Sequence, residues 1–241
     1  MYIKAIVEYN GRDFSGFQIQ KGENTIQGEI ENSLKRLFKS EIRISYASRT
    51  DSGVHARGQV ISFRTPFDLH YDKIRRALND LLDENIIITH ISESDPEFHP
   101  RYHAKSKTYR YRILSQPEND YSLKDFVWHL PKPVDWNKVE NGLNLCSGEH
   151  EFIYFSTGCE NKRTCIDIIR TSISKSGNMH DIVFEAKYFL THMIRYIVGY
   201  LIAVGRGQET LEDLEEMLEG KGKECIYCAP PQGLELVKVC Y

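Results

Sequence analysis

The densest chemistry in the chain lies at residues 47–60, Ala-Ser-Arg-Thr-Asp-Ser-Gly-Val-His-Ala-Arg-Gly-Gln-Val. Asp51 is the only carboxylate between Glu41 and Asp68, and Arg49 and Arg57 stand close to it in sequence. An opposing guanidinium keeps a carboxylate ionised, which a nucleophile or general base requires. Gly53 permits a positive φ or the close approach of a ligand. The same residues would also make a salt-bridged turn with no catalytic part, because structural ion pairs use the same groups.

A second cluster interleaves basic and aromatic side chains at Arg101, Tyr102, His103, Lys105, Lys107, Tyr109, Arg110 and Arg112. Strand alternation puts Lys107, Tyr109 and Tyr111 on one face and Thr108, Arg110 and Arg112 on the other. Lys and Arg neutralise backbone phosphates and aromatics stack on exposed bases, so RNA is a fitting partner. A solvated charged strand is the competing reading. His55 and His150 read as hydrogen-bonded structural residues rather than acid–base groups. Cys225 and Cys228 form one Cys-x-x-Cys pair. A four-ligand zinc site needs a second pair, and Cys159 with Cys165 is spaced too widely, so packed or surface thiols are expected and no metal.

The elements that must position these groups follow from hydrophobic periodicity. Strands are predicted at Tyr2–Tyr9, up to Tyr46, at Gly58–Arg64, Ile86–Ile91, Lys107–Leu114, Ile166–Ile173, Met179–Ala186 and Leu234–Cys240. The reactive segment is then a loop between two strands, where scaffolds commonly carry catalytic groups. Helices are predicted after caps at Asn24 and Gln27, over Asp72–Leu82, over Asp135–Leu145, over the apolar run Tyr188–Val204, and from Thr210 to Gly220. Hairpins outnumber single strand–helix–strand units, which predicts an α+β fold with a largely antiparallel sheet. Pro117 and the Pro131/Pro133 pair mark the expected boundary between an N-terminal lobe, 1–116, and a C-terminal lobe, 117–241, together one catalytic unit.

The 241 residues suffice for one large domain or two modest ones. Hydrophobic residues at 41% and charged residues at 27% exclude a disordered chain. A net charge of −3 argues against a general nucleic-acid binder, but the charge is unevenly placed. Residues 208–224 carry seven acids against Lys221 and Lys223, and the rest of the chain is net positive. The acidic stretch reads as a solvated helix face, and nucleic acid stays open as a partner. Tyr188–Val204 is interrupted by His192 and Arg195 and is too polar to span a bilayer. The N-terminus begins directly in an alternating pattern without signal-peptide features, so the six cysteines are expected to be reduced thiols of a cytoplasmic protein.

Arg49-Thr50-Asp51-Ser52-Gly53-Val54-His55-Ala56 resembles the signature of the tRNA pseudouridine synthase A family. Other segments are similar to that family in the same order. They are Tyr9-Asn10-Gly11 with Phe14-Ser15-Gly16-Phe17-Gln18, Phe98-His99-Pro100-Arg101 with Ala104, and Lys107-Thr108-Tyr109-Arg110-Tyr111. Gly148–Phe152, Arg163-Thr164, Phe189-Leu190, Met193-Ile194-Arg195 with Gly199, Ala229-Pro230-Pro231 and Gly233-Leu234 complete the set. The family usually has tryptophan where Phe17 stands, glycine where Ser48 stands and valine where Ile194 stands.

The resemblance implies a cofactor-free isomerase that detaches uracil from its ribose, rotates it and rejoins it through carbon 5. It makes Asp51 the catalytic aspartate; a carboxylate can act by attacking the base or the ribose, or by abstracting a proton. It implies that Tyr109 stacks on the uracil, that Arg49 fills the place of the extruded base, and that Arg195 is a further substrate-binding arginine whose natural partner is Asp51. Arg101, Lys105, Lys107 and Arg110 are the corresponding RNA-binding candidates. The implied fold is two related α/β lobes sharing the sheet, helices on one side and an RNA-binding cleft between lobes. The implied substrate is tRNA at positions 38–40 of the anticodon arm, and a homodimer is expected. The alternatives are another tRNA position, ribosomal RNA, or an RNA-binding module without catalysis. A metal-dependent hydrolase is disfavoured by the lack of a compact His/carboxylate set.

Overall fold

The computed structural model describes residues 1–158 and 163–241. It divides into two compact units, Met1–Lys105 with Glu235–Tyr241, and Ser106–Leu234. The strand at Ser106–Ser115, which the sequence places in the first lobe, groups with the second unit.

The first unit contains β1 (Tyr2–Tyr9), α1 (Ile26–Phe38), β2 (Ser45–Tyr46), β3 (His55–Arg64), α2 (Tyr71–Asn79), β4 (Ile86–Glu93) and, from the chain's end, β10 (Leu234–Cys240). β1 lies antiparallel between β3 and β4, β2 pairs antiparallel with β3, and β10 joins β3 in parallel, Glu235 opposite His55. Alternate β1 residues Ile3, Ala5, Val7 and Tyr9 are buried, as period-two patterning demands. α1 buries Ile26, Ile30, Leu34 and Phe38, and α2 buries Ile74 and Leu78. The α1 cap is Thr25, whose Oγ1 accepts from Gly28 N, and not Asn24 or Gln27. Those two side chains instead hold the preceding segment: Asn24 donates to Asp13 O and Gln27 accepts from Ile19 N. α2 stops at Asn79, short of Leu82, because the Asn79 carboxamide pairs with both N–H and C=O of Ile88 on β4.

The second unit contains β5 (Ser106–Ser115), β6 (Trp128–Leu130), α3 (Trp136–Leu145), β7 (Gly148–Glu151), β8 (Cys165–Ser176), β9 (Met179–Ala186), α4 (Met193–Gly205) and α5 (Leu211–Leu218). β5, β9, β8 and β7 follow one another antiparallel, and β6 adds to β5 in parallel. The largely antiparallel α+β expectation is met in each unit. α3 is capped by Asp135 as predicted and packs on α4, α5 and β8. α4 buries Ile197, Val198, Leu201, Ile202 and Val204. It begins at Met193, not Tyr188, because His192 adopts a left-handed backbone (φ 62°) while its Nδ1 meets Thr157 Oγ1 at 2.8 Å. α5 is capped by Thr210 and turns its acids to solvent, leaving Leu214, Met217 and Leu218 buried. Among the described residues no helix is long and apolar enough to cross a membrane.

Candidate functional site

The segment from Ala47 to Val54 leaves β2 and re-enters the sheet at β3. Main-chain pairing continues one step past β2, Ala47 N donating to Val60 O at 2.9 Å. At Ser48 a side chain takes over. The Gln59 carboxamide accepts from Ser48 N at 3.2 Å and donates to Ser48 O at 2.7 Å. Gln59 is wholly buried, and its Nε2 also reaches the Tyr9 hydroxyl at 3.4 Å. Tyr9 in turn shares a 2.7 Å hydrogen bond with Thr50 Oγ1. A buried chain of polar groups thus holds Ser48 by its backbone and Thr50 by its hydroxyl, and Arg49 between them is exposed.

The other flank of the loop rests on the segment between β1 and α1. Phe17 N donates to Thr50 O at 3.0 Å, and Ser52 Oγ donates to Phe14 O at 3.1 Å. Gly11 N donates to His55 Nδ1 at 3.1 Å, which makes His55 a buried structural residue with its proton on the other nitrogen. Gly11 has no room for a side chain, since a Cβ there would lie 2.0 Å from Val54 O. Gly53 has φ 77°, the positive φ expected of it, and closes the turn in which Val54 N donates to Asp51 O. Asp51 is left half-buried on this braced loop. Arg57, set beside Asp51 by the sequence, binds Glu235 instead, Nε to Oε1 at 3.0 Å, because the β3–β10 ladder brings that carboxylate next to it.

The same unit carries Arg101 and Lys105, both exposed, with Tyr102 72% exposed between them. The turn around them is held by ring nitrogens: His99 N donates to His103 Nδ1 and Arg101 N to His99 Nδ1. Burial, with the neighbouring His103, lowers the pKa of His99.

In the second unit β5 alternates as the sequence predicts. Lys107, Tyr109 and Tyr111 are buried, and Thr108, Arg110 and Arg112 are half-buried on the other face. The two tyrosines differ. Tyr111 is fully enclosed, its hydroxyl donates to Pro230 O at 2.6 Å, and burial pushes its pKa well up, so it is a core residue. Tyr109 packs edge-on to Phe189, ring centroids 5.3 Å apart. Arg110 lies on the face away from Tyr109, with Nη1 3.5 Å from Asp181. Arg195 sits in the first turn of α4, and its Nε donates to Ala229 O at 2.8 Å, which fixes the plane of the guanidinium. The structure therefore sets Asp51, Arg49, Arg101 and Lys105 in one unit, and Lys107, Tyr109, Arg110 and Arg195 in the other.

His150, half-buried, meets Ser147 O at 2.9 Å, again a structural contact. Cys225 is buried, which raises its thiol to about 12, and Cys228 is exposed. Cys159 lies outside the described residues. Among those described, no group of three or more His, Cys, Asp or Glu side chains is placed to hold a metal. The bracing of the loop by Gln59 and Tyr9 escaped the sequence reading. The available signal was a polar residue, Gln59, directly before the apolar pair Val60-Ile61 of the strand.

The chain matches the family described as tRNA pseudouridine synthase over residues 5–103 and 144–241. It is 39% identical over 245 residues to the tRNA pseudouridine synthase A of Geobacillus sp. (strain WCH70), covering 99% of this chain and 98% of that one. It is 37% identical to the protein of the same name from Geobacillus kaustophilus, with 99% and 94% covered, and from Dictyoglomus thermophilum, with 99% and 98% covered.

Proposed function

Since the chain belongs to the tRNA pseudouridine synthase family, we propose that it isomerises uridine to pseudouridine at positions 38–40 of the tRNA anticodon arm, with Asp51 as the reacting carboxylate. The observation that carries this reading is the loop itself. Ser48 N and O are held by Gln59 and Thr50 O by Phe17 N, so Arg49 and Asp51 are presented from a braced frame. Preorganised placement of a reacting group is where much of a rate enhancement originates.

The reaction breaks the N1–C1′ bond, turns the base, forms a C5–C1′ bond, and transfers the C5 proton away as N1 gains one. No electrons are exchanged with another molecule, so no redox cofactor is called for. Asp51 is assigned the carboxylate chemistry, and Arg49 the space left when the uridine is extruded, a step that costs a few kcal/mol of stacking and pairing. Tyr109 is assigned to stack on the uracil and Arg195 to bind substrate. Arg101, Lys105, Lys107 and Arg110 are assigned to RNA. The exposure of Arg101 and Lys105 beside Tyr102 supports this for the first pair. We further propose that the two lobes act as one catalytic unit, that the enzyme is a homodimer, and that it works in the cytoplasm.

The test uses tRNA and ribosomal RNA transcripts tritiated at uracil carbon 5, because isomerisation releases that tritium. Wild-type protein should release it from tRNA and Asp51→Ala should not. Equal release by the two proteins removes Asp51 from the chemistry. Release from ribosomal RNA alone overturns the substrate, and binding of RNA without release overturns the enzyme reading. Nearest-neighbour analysis of the product places the modified uridine.

A further inference from the structure

A buried carboxamide is a costly choice for a strand interior unless every polar atom is satisfied. Gln59 occupies such a position on β3, fully buried, with Val60 and Ile61 buried after it. Its two functional atoms go to one residue, Ser48, in the pattern of a neighbouring strand: acceptor to N–H, donor to C=O. Backbone pairing ends at Ala47–Val60, and the carboxamide supplies the next rung where the chain turns away toward Asp51. Tyr9, 4% exposed, extends the connection from Gln59 to the Thr50 hydroxyl. The two residues thereby hold the neighbours of Arg49 on either side, Ser48 by its backbone and Thr50 by its hydroxyl.

From this geometry we infer that Gln59, acting with Tyr9, is a positioning residue for the isomerisation, setting the aim of Arg49 and Asp51 without touching the substrate. The inference rests on the assignment of Asp51 above. A carboxamide can accept from Ser48 N through its oxygen and donate to Ser48 O through its nitrogen at neutral pH. Leucine can do neither. A carboxylate can accept but sets charge against the Ser48 carbonyl; once protonated, it can again do both.

The experiment measures tritium release at saturating and sub-saturating tRNA, with tRNA binding measured separately and the folded fraction fixed by circular dichroism. Gln59→Leu should lower kcat by about 10- to 100-fold, the scale of a reacting group displaced by about an ångström. KM and the tRNA Kd should stay within about twofold, since the RNA-contacting groups are untouched. Tyr9→Phe, which keeps the ring and removes the hydroxyl, should show a smaller fall of the same kind. Gln59→Glu should regain kcat relative to wild type as the pH is lowered, which a loss of stability would not produce. Should Gln59→Leu fail to fold, the latter two variants carry the test. Folded variants with wild-type kcat, or a change confined to KM, overturn the inference. Asp51→Ala runs in parallel: if it stays active, the catalytic assignment has failed, whereas an inactive Asp51→Ala beside a normal Gln59→Leu sinks the positioning role alone.

Discussion

Replacing Gly11 with alanine tests whether the placement of the Asp51 loop limits the rate. Gly11 backs directly onto the loop, where an added Cβ would stand 2.0 Å from Val54 O and 2.7 Å from its carbonyl carbon. Both atoms are backbone, so no side chain can swing aside. Relief to an ordinary contact of 3.4 Å requires the two segments to part by about 1.4 Å, and a displacement of that order costs on the order of 100-fold when it reaches a reacting group. The shift must reach Asp51, three residues before Val54, because the segments are also tied at Phe17 N–Thr50 O and Ser52 Oγ–Phe14 O. Gly11→Ala should therefore lower kcat about 100-fold while costing about 1–3 kcal/mol of stability from overpacking. Tritium release at saturating tRNA reads the first, and urea denaturation the second. Gly177→Ala is the control: φ there is 60° with nothing within 4 Å, so it strains a hairpin turn of the second unit by about 1–2 kcal/mol and should leave kcat unchanged. A folded Gly11→Ala protein with wild-type kcat would refute the view that this contact sets the loop.

Two further outcomes concern the second unit. His180 stacks on Trp136 at 3.5 Å, and burial, aided by Lys175, lowers its pKa from 6.5 to about 4. Between those values the unfolded chain takes up a proton that the folded chain refuses, so stability should fall as pH drops from 6.5 toward 4. His180→Phe should flatten that dependence, read as urea midpoints at pH 7 and pH 5; an unchanged slope counts against the buried neutral imidazole. Tyr111→Phe removes the 2.6 Å bond to Pro230 O and leaves a part-buried carbonyl without that donor. It should cost about 1–3 kcal/mol by thermal or urea unfolding, and a loss below about 0.5 kcal/mol would contradict the core assignment.

Much of the fold was legible because burial leaves a periodic trace. β1 and β9 span the residues that period-two alternation marks, and β5 separates Tyr109 from Arg110 as predicted. One set of failures comes from side chains doing backbone work. Asn24 and Gln27 look like caps because their chemistry suits caps, yet they are spent on Asp13 and Ile19. The apolar run from Tyr188 hides the left-handed residue His192, which no hydropathy pattern can register. β7, Gly-Glu-His-Glu, is polar throughout and pairs only with β8, so nothing in its composition announces a strand.

The site divides along the same line. A candidate reacting group is legible when it stands out by type, as Asp51 does in a stretch without other carboxylates. What holds it is invisible locally, because Tyr9 lies 41 residues from Thr50 and Gln59 lies 11 from Ser48. The family's N-terminal segment explains itself on this view. Tyr9, Gly11, Phe14 and Phe17 each touch the Asp51 loop or a residue bonded to it. Phe17, where the family usually has tryptophan, is fully buried and packs on Tyr46 at 4.6 Å and Tyr9 at 5.9 Å. Ser48, where it usually has glycine, needs only its backbone for the Gln59 clamp. Both departures therefore fall on the support of the loop, where an aromatic ring and a peptide group suffice.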